Sequence, residues 1–247
     1  MEMKINRMKE LLGIMKKEEL AYYLDDNPIV TDREWDAQFD ELSALEKETG
    51  IIYASSPTQK AGGGILPSLP KVIHSKPMLS AAKTKSHEDI DKFAGKGPGD
   101  CMVSWKLDGL TLVIRYSNGM LERIITRGDG NIGEDVTHNC ASILGIPQYI
   151  PCMGDVEVRG ECVVSWAGFD EVNKRVDEPY AHPRGLAAGS VQLLNQRESA
   201  PRELQFVAFE LVQPFLGTVE DSYAFLAEQG FSVVPHLLTK TPGQVID

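Results

Sequence analysis

This sequence of 247 residues has few of the features that mark membrane, secreted or metal-binding proteins. No apolar run approaches the ~20 residues that a membrane-spanning helix needs, and the N-terminal segment MEMKINRMKE is polar where a signal peptide would be apolar. The four cysteines include no Cys-x-x-Cys pair, which argues against a zinc module or a disulfide scaffold. We therefore expect a soluble, cytoplasmic protein without a membrane partner, whose 42% hydrophobic residues suffice for a core.

Basic residues are also scarce, with 25 Lys and Arg against 36 Asp and Glu, so that the net charge is −11. Because phosphate backbones attract basic proteins, this balance taken alone argues against a nucleic-acid partner. The excess is uneven: residues 18–48 carry a net charge of −9, whereas residues 49–247 carry −5. The acidity is therefore concentrated near the N-terminus, and the remainder of the chain is expected to bind DNA weakly by itself.

Residues 1–50 are predicted to form a helical hairpin. The first helix is indicated by apolar residues at helical spacing, namely Ile5, Met8, Leu12 and Met15. The second helix follows a capping box at Thr31 and Glu34, and its apolar stripe consists of Trp35, Phe39, Leu42 and Leu45. It should end near Gly50. The proline- and glycine-rich residues 54–77 then predict a connector with little regular structure.

Residues 78–247 alternate between strand and helix patterns, which predicts an α+β domain with mainly antiparallel strands. The turn sequence Ser117-Asn118-Gly119 between two apolar runs predicts a β-hairpin over residues 110–127. Further strands are predicted at 102–106, 155–164, 204–212 and 231–234, and helices at 167–176, 183–196 and 219–229.

Two polar segments suit nucleotide chemistry, although each has an ordinary alternative. In Lys106-Leu107-Asp108-Gly109 the lysine acts as a nucleophile only when it is neutral, and the alternative is a surface turn with a solvated lysine. Residues 126–135 contain three glycines in six positions, which suits a loop whose N–H groups face an anion. The alternative for this segment is a plain strand-to-helix loop.

Two later segments have the same ambiguity. Alternation in residues 155–164 puts Asp155, Glu157, Arg159 and Glu161 on one strand face, where a carboxylate would bind ribose hydroxyls or a metal. The alternative is a solvent-facing sheet surface with salt bridges. Small residues at 183–190 suit N–H groups that bind phosphate at a helix start, or else close packing.

Taken together and in order, these segments resemble the NAD-dependent DNA ligase family of bacteria and some viruses. KLDG at 106–109 looks like the adenylation motif of that family, and TRGDGNIGED, EVRGE and PRGLAAGS follow in the family's order at similar separations. YYLDDNPIVTDREWD, SSPTQKAGG and HSKPMLS resemble its N-terminal segments. The resemblance runs from about residue 18 to the C-terminus. It implies a helical NMN-binding domain (1–53), a connector (54–77) and a C-terminally incomplete nucleotidyltransferase domain of the ATP-grasp-like ligase adenylation type (78–247).

The resemblance also implies a mechanism and a set of site residues. Lys106 would attack the adenylyl phosphate of NAD, release nicotinamide mononucleotide (NMN), and form a Lys–AMP intermediate for the 5′-phosphate of a DNA nick, with Mg²⁺ bridging the phosphates. The NMN half would contact Tyr22, Tyr23, Asp32, Trp35 and Asp36. The adenylyl half would contact Ser80, Ala81, Asp108, Gly109, Arg127, Glu161, Arg184 and Phe209.

The residues assigned to the NMN half fit a cationic pyridinium ring. Asp32, Trp35 and Asp36 stand at i, i+3 and i+4, along one edge of a helix. Aromatic faces and carboxylates both attract such a cation. The alternative is that Trp35 belongs to the core stripe and that the acidic side chains are solvated.

Several positions differ from the family pattern. Tyr23 and Trp35 stand where a histidine and a tyrosine are common. Ser104, Gln192 and Gly185-Leu186 replace a glutamate, an arginine and Asn-Ala. By the same resemblance, this sequence is expected to stop before the family's last adenylation strand and before its OB, zinc, helix-hairpin-helix and BRCT domains.

Three explanations are open for the missing parts: an engineered expression fragment, a fragment of a longer protein, or one natural subunit of a split ligase. The last is favoured and predicts a second, more basic polypeptide. Two other functions also stay open. One is a non-catalytic NAD-binding or assembly module, and the other is a covalent nucleotidyltransferase that uses ATP.

Overall fold

The computed structural model describes residues 1–24, 30–51, 53, 56–59, 68–79, 81–94, 100–194, 199 and 202–239. Its helices are α1 (Glu2–Leu24), α2 (Asp32–Thr49), α3 (His87–Ala94), α4 (Trp166–Asn173), α5 (Pro183–Val191) and α6 (Val219–Glu228). The strands are β1 (Lys71–Ile73), β2 (Cys101–Ser104), β3 (Leu110–Ser117), β4 (Met120–Thr126), β5 (Ile132–Glu134), β6 (Ile143–Leu144), β7 (Val156–Val163), β8 (Leu204–Gln213) and β9 (His236–Thr239). The mixed α+β class predicted from the sequence is confirmed.

The first two helices form the predicted antiparallel hairpin. Ion pairs between the helices join Lys4 to Glu48 at 2.8 Å and Arg7 to Glu41 at 2.7 Å. The apolar stripes meet in a buried cluster of Met8, Leu11, Leu12, Met15, Leu42 and Tyr53. The second helix ends at Gly50, whose φ of 69° lies in the left-handed region. The predicted turn at 25–28 lies outside the described residues.

The predicted capping box opens α2. The Glu34 amide donates to Thr31 Oγ1 at 3.3 Å, and the Thr31 amide donates to Glu34 Oε2 at 2.8 Å. The Glu34 amide also donates to the Thr31 carbonyl at 3.0 Å, so the capping box adds a second acceptor at the helix start. Hydrogen bonds from Thr31 also lower the pKa of the Glu34 carboxyl.

Thr31→Ala is expected to lower the free energy of unfolding by about 1 kcal/mol, because it removes the side-chain acceptor of the capping box. Chemical denaturation measures the change. Ser43→Ala is the matched control, since Ser43 is exposed inside the same helix, where alanine is at least as favourable. Equal stability of the two variants would contradict the prediction.

The centre of the molecule is a five-stranded sheet of order β4-β3-β7-β8-β6. Its strands pair antiparallel except β6 with β8, and β3 and β4 are joined by the predicted turn at Asn118 and Gly119. One face packs on the main core, which includes Leu112, Ile114, Val158, Phe206, Leu186 and Leu226. The other face carries Thr111 of β3 and the charged residues of β7.

Some predicted elements differ from the observed ones. The last strand is β9 at 236–239, which pairs with β2, and the strand predicted at 231–234 is wrong. Phe231 and Val234 are instead buried core residues, and only one bridge, from Val233 to Ala208, joins this segment to the sheet.

Within the predicted connector, residues 71–73 form β1 because they pair with β5. The helix predicted at 183–196 ends at Val191, and α3 was not predicted.

Candidate active site

A short loop between β2 and β3 carries the lysine motif. The amide of Trp105 donates to the carbonyl of Pro235 at 3.1 Å, and the side chain of Lys106 is exposed. Gly109 lies so close to β7 that a Cβ there would stand 2.1 Å from the carbonyl oxygen of Cys162. The glycine of the motif is therefore required by strand packing, because any side chain would push β3 away from β7.

Glu161 of β7 lies directly beside this loop. Its two carboxylate oxygens accept hydrogen bonds from the Gly109 amide and from Thr111 Oγ1, both at 2.9 Å. Burial raises the pKa of Glu161, while these hydrogen bonds and the positive charges of Lys106 and Arg184 oppose the rise. The lysine loop, the carboxylate and Arg184 thus lie within electrostatic reach of one another.

Arg184 reaches the same loop from α5. The helix begins with His182 as N-cap, whose Nδ1 accepts from the Arg184 amide at 3.2 Å, and with Pro183 in the first turn. Arg184 Nη1 donates to Asp108 Oδ1 at 3.2 Å, and both side chains are exposed. Leu186 of the same helix is fully buried, so packing of the helix fixes where this arginine stands.

The glycine-rich loop at 127–133 is held together by its own hydrogen bonds. Asp129 Oδ1 accepts from the amides of Asn131 and Ile132 at 2.8 and 2.9 Å, and these bonds hold the pKa of Asp129 below its usual value. The Gly130 amide donates to the carbonyl of Arg127 at 3.0 Å. These N–H groups are therefore occupied within the loop, which fits the plain-loop alternative better than an anion-facing loop.

Residues 73–78, which we call the strap, lie against this loop. Arg127 Nη2 donates to the Met78 carbonyl at 3.3 Å, and His74 Nε2 lies 3.1 Å from the Arg127 carbonyl. The Met78 amide donates to the Gly130 carbonyl at 2.8 Å. A Cβ at Gly130 would stand 2.9 Å from the Met78 carbonyl oxygen, so the glycine allows the strap to approach.

The charged face of β7 is largely covered. Glu157 and Arg159 are only 6% and 8% exposed, because the strap lies over them. The alternative of a solvent-facing sheet surface is therefore wrong for these two residues. Asp155 precedes the strand and is exposed, where it accepts from Ser117 Oγ at 2.8 Å.

The residues expected to contact NMN lie in the hairpin. Trp35 is half-buried and packs against the hairpin cluster, and Asp36 is exposed. The backbones of Tyr22, Tyr23 and Asp32 lie at the same end of the antiparallel hairpin, and their side chains are outside the described part of the chain. The hairpin meets the sheet across an open groove of about 710 Å³ at the β3–β4 turn, which is the opposite end of β3 from Gly109.

The residues expected around adenine are less fully described. Ser80 lies outside the described residues, and Ala81 is exposed. Phe209 is half-buried on β8 at the edge of the main core, and Tyr223 Oη donates to its carbonyl at 3.2 Å.

The positions that depart from the family pattern have ordinary partners. Gln192 ends α5 and donates to Glu134 Oε2 at 2.9 Å. Ser104 ends β2 opposite His236.

Sequence reasoning missed Thr111, His74 and Ser75 as neighbours of the site. Thr111 is brought there by the pairing of β3 with β7, and His74 and Ser75 belong to the segment HSKPMLS, whose resemblance to the family was the one signal that could have found them. Within the described residues, no group of three or more His, Cys, Asp or Glu side chains is arranged to hold a metal ion. In the same part of the chain, no helix combines the length and apolar character needed to cross a membrane.

The curled antiparallel sheet, with a lysine loop and a half-buried glutamate at one end, has the architecture of a nucleotidyltransferase adenylation domain. Residues 66–247 match the family model described as NAD-dependent DNA ligase adenylation domain. Residues 1–62 match the model described as DNA ligase-like, N-terminal NAD+-binding domain. The chain therefore belongs to the NAD-dependent DNA ligase family, as the resemblance of its motifs implied.

Individual relatives support the same family membership. A protein named DNA ligase from Lachnoclostridium phytofermentans is 38% identical over 245 residues, and the match covers 96% of this chain but 37% of the relative. DNA ligases from Ruminiclostridium cellulolyticum and Acinetobacter baumannii are 37% and 36% identical, with 94% and 93% of this chain covered. The chain spans little more than a third of the length of these relatives.

Proposed function

We propose that this chain carries out the adenylation step of an NAD-dependent DNA ligase. The observation that carries the proposal is the convergence of Lys106, Asp108, Glu161 and Arg184 at one end of the sheet. A nucleophilic amine, a ribose-binding carboxylate and a phosphate-binding cation are the groups that this reaction needs. The family membership supports the same assignment.

In the proposed reaction, Lys106 Nζ forms a bond to the adenylyl phosphorus of NAD. The bond from that phosphorus to the bridging oxygen breaks, and NMN leaves with the electron pair. The Lys106 ammonium gives up two protons to solvent, one before the attack and one after it, and a Lys–AMP phosphoramidate that retains one N–H remains. Phosphoryl transfer of this kind depends mainly on in-line positioning and on stabilisation of charge on the phosphoryl oxygens.

The neighbouring residues have separate proposed roles. Glu161 accepts hydrogen bonds from the ribose hydroxyls, Arg184 and Arg127 contact phosphate oxygens, and Asp108 orients Arg184 through their 3.2 Å contact. Phe209, Ser80 and Ala81 are proposed to line the adenine site. Mg²⁺ would be held by the phosphates of the nucleotide and would neutralise their charge.

The hairpin is proposed to bind the NMN half of NAD through Tyr22, Tyr23, Asp32, Trp35 and Asp36. The net charge of −9 over residues 18–48 suits a pyridinium cation better than DNA. The capping box at Thr31 supports this arrangement, because it fixes the start of the helix that carries Asp36.

Asp36→Ala is expected to slow Lys–AMP formation from NAD about 10-fold or more, through loss of a charge pair with the pyridinium ring. Sealing of a pre-adenylated nick, assayed in the presence of the DNA-binding regions, should be unchanged. Asp40→Ala is the matched control, since Asp40 is exposed one turn further along α2. Loss of both activities would contradict the proposal that Asp36 binds the NMN leaving group.

One experiment separates the functions that the sequence left open. The chain is incubated with NAD or with ATP, each labelled in the adenylyl group, and the Lys106 peptide is analysed for an added AMP. An adduct from NAD supports the proposal. An adduct from ATP alone supports a different nucleotidyltransferase, and no adduct supports a non-catalytic NAD-binding or assembly module.

Nick sealing by the whole enzyme is a further proposal. We propose that nicked double-stranded DNA is the final substrate and that its binding relies on the regions of the relatives that this chain does not span. A second, more basic polypeptide is one source of those regions. Nick sealing by this chain alone at the rate of a full-length relative would contradict the proposal.

A further inference from the structure

The buried charges under the strap carry an inference that rests on the proposed function. Glu157 and Arg159 share the face of β7 that bears Glu161, and each contacts the strap instead of solvent. Buried charged groups in proteins need partners, and Glu157 and Arg159 each have a partner in the strap. These contacts therefore hold the strap in place against β7.

Glu157 joins the strap to two strands. Both of its carboxylate oxygens lie 2.7 Å from Ser75 Oγ, and Oε2 also accepts from Arg115 Nε at 2.9 Å. Arg115 Nη2 in turn donates to the carbonyl of Ile73 at 3.3 Å. The buried carboxylate and its partner Arg115 thus connect β3, β7 and two positions of the strap.

Arg159 holds the next residue of the strap. Its Nη2 donates to the carbonyl of Lys76 at 2.9 Å, and its Nη1 donates to Glu210 Oε2 at 3.2 Å. Lys76 Nζ donates to the carbonyl of Val212 at 3.3 Å. Ser75 and Lys76 are therefore both anchored to the central strands of the sheet.

The strap also holds Arg127. The Met78 carbonyl accepts from the Arg127 guanidinium, and His74 contacts the Arg127 carbonyl. A free arginine side chain populates many rotamers, so a partner that holds it in place lowers the entropic cost of binding a ligand. Arg115 and Glu157 contact the strap at Ile73 and Ser75, and Arg127 contacts the same strap at His74 and Met78.

We propose that Ser75 and Glu157 are positioning residues for NAD adenylation. Their hydrogen bond holds the strap in register on the sheet, and the strap aims Arg127 at the phosphate of the bound nucleotide. Hydrogen bonds to a buried carboxylate are short and strong, because the local dielectric constant is low. The bond therefore acts on the nucleotide through Arg127.

Ser75→Ala tests the proposal in single-turnover formation of the Lys106–AMP adduct at varied NAD concentration. The apparent Kd for NAD is expected to rise ~10-fold, because a hydrogen bond to a charged group is lost. The maximal rate at saturating NAD should change little. A phosphate contact that is equally strong in the ground state and in the transition state changes the affinity for NAD but not the rate of reaction from the bound complex. Ser75→Thr retains the hydroxyl and should restore the affinity.

Ser117→Ala is the matched control. It removes a hydroxyl-to-carboxylate hydrogen bond of 2.8 Å to Asp155 at the far end of β3 from the lysine loop, and it should leave the Kd for NAD unchanged. In a double-mutant cycle, Ser75→Ala combined with Arg127→Ala should be no weaker than Arg127→Ala alone, because Ser75 acts through Arg127.

Additive losses in the cycle would overturn the proposal, as would a Kd for Ser75→Ala equal to that of the control. Failure of Ser75→Thr to restore affinity would also overturn it. If the unmodified chain forms no adduct from NAD, the proposed function fails instead, and this outcome is distinct from the others.

Discussion

Lys106→Arg is expected to abolish formation of the covalent AMP adduct from NAD, with a loss on the order of 10⁴-fold or more. Arginine keeps the positive charge but stays protonated at any accessible pH, so it has no free electron pair for attack on phosphorus. Because the side chain of Lys106 is exposed, thermal stability should not change. Single-turnover labelling with adenylyl-labelled NAD measures the loss.

Lys174→Arg is the matched control. Lys174 is also exposed, and it pairs with Glu171 on the surface of the molecule. This variant should form the adduct at the normal rate. Adduct formation by Lys106→Arg, or mapping of the AMP to another lysine, would contradict the assignment of the nucleophile.

Glu161→Gln is expected to lower the rate of adenylation about 100-fold at neutral pH, because the charge-assisted hydrogen bonds that we propose between Glu161 and the ribose would become neutral ones. The amide oxygen of glutamine replaces the acceptor of the Gly109 amide, and its NH₂ group meets Thr111 Oγ1, so the fold is preserved. Glu122→Gln is the control, since Glu122 is exposed on β4. Full activity of Glu161→Gln would contradict the role of the carboxylate.

The raised pKa of Glu161 adds a dependence on pH to the same prediction. Because the folded chain binds this proton more tightly than the unfolded chain does, the contribution of Glu161 to stability is present at low pH and is lost as the pH rises through its raised pKa. Glu161→Gln should therefore be at least as stable as the parent at pH 8. Adenylation by the parent should fall on acidification at a pH above the ordinary pKa of glutamate, and the residual activity of Glu161→Gln should lack this fall.

Local sequence patterns predicted several elements correctly. The capping box at Thr31, the glycine that ends α2 and the Asn118-Gly119 turn are set by hydrogen bonds and backbone angles within a few residues. The alternation along β7 correctly put Glu157, Arg159 and Glu161 on one face. These predictions succeeded because the interactions that decide them lie within one element.

The predictions that failed depend on distant partners. Residues 231–234 have a strand-like composition, but Phe231 and Val234 are buried core residues. The actual strand β9 begins two residues after Val234, at His236, and pairs with β2. Residues 71–73 form a strand only because β5 offers an edge. A local sequence pattern does not show which strand edges of the folded protein can accept another strand.

By itself, the sequence determined the family, the hairpin and the residue types that adenylation would need. Only the tertiary structure decided how the surroundings of the three charged residues on β7 differ. Glu161 stands beside the lysine loop, whereas Glu157 and Arg159 lie under the strap, a segment about 80 residues earlier in the chain. The physical reason is that desolvation and pairing of a charge depend on what packs over it, and that cover comes from a distant part of the chain.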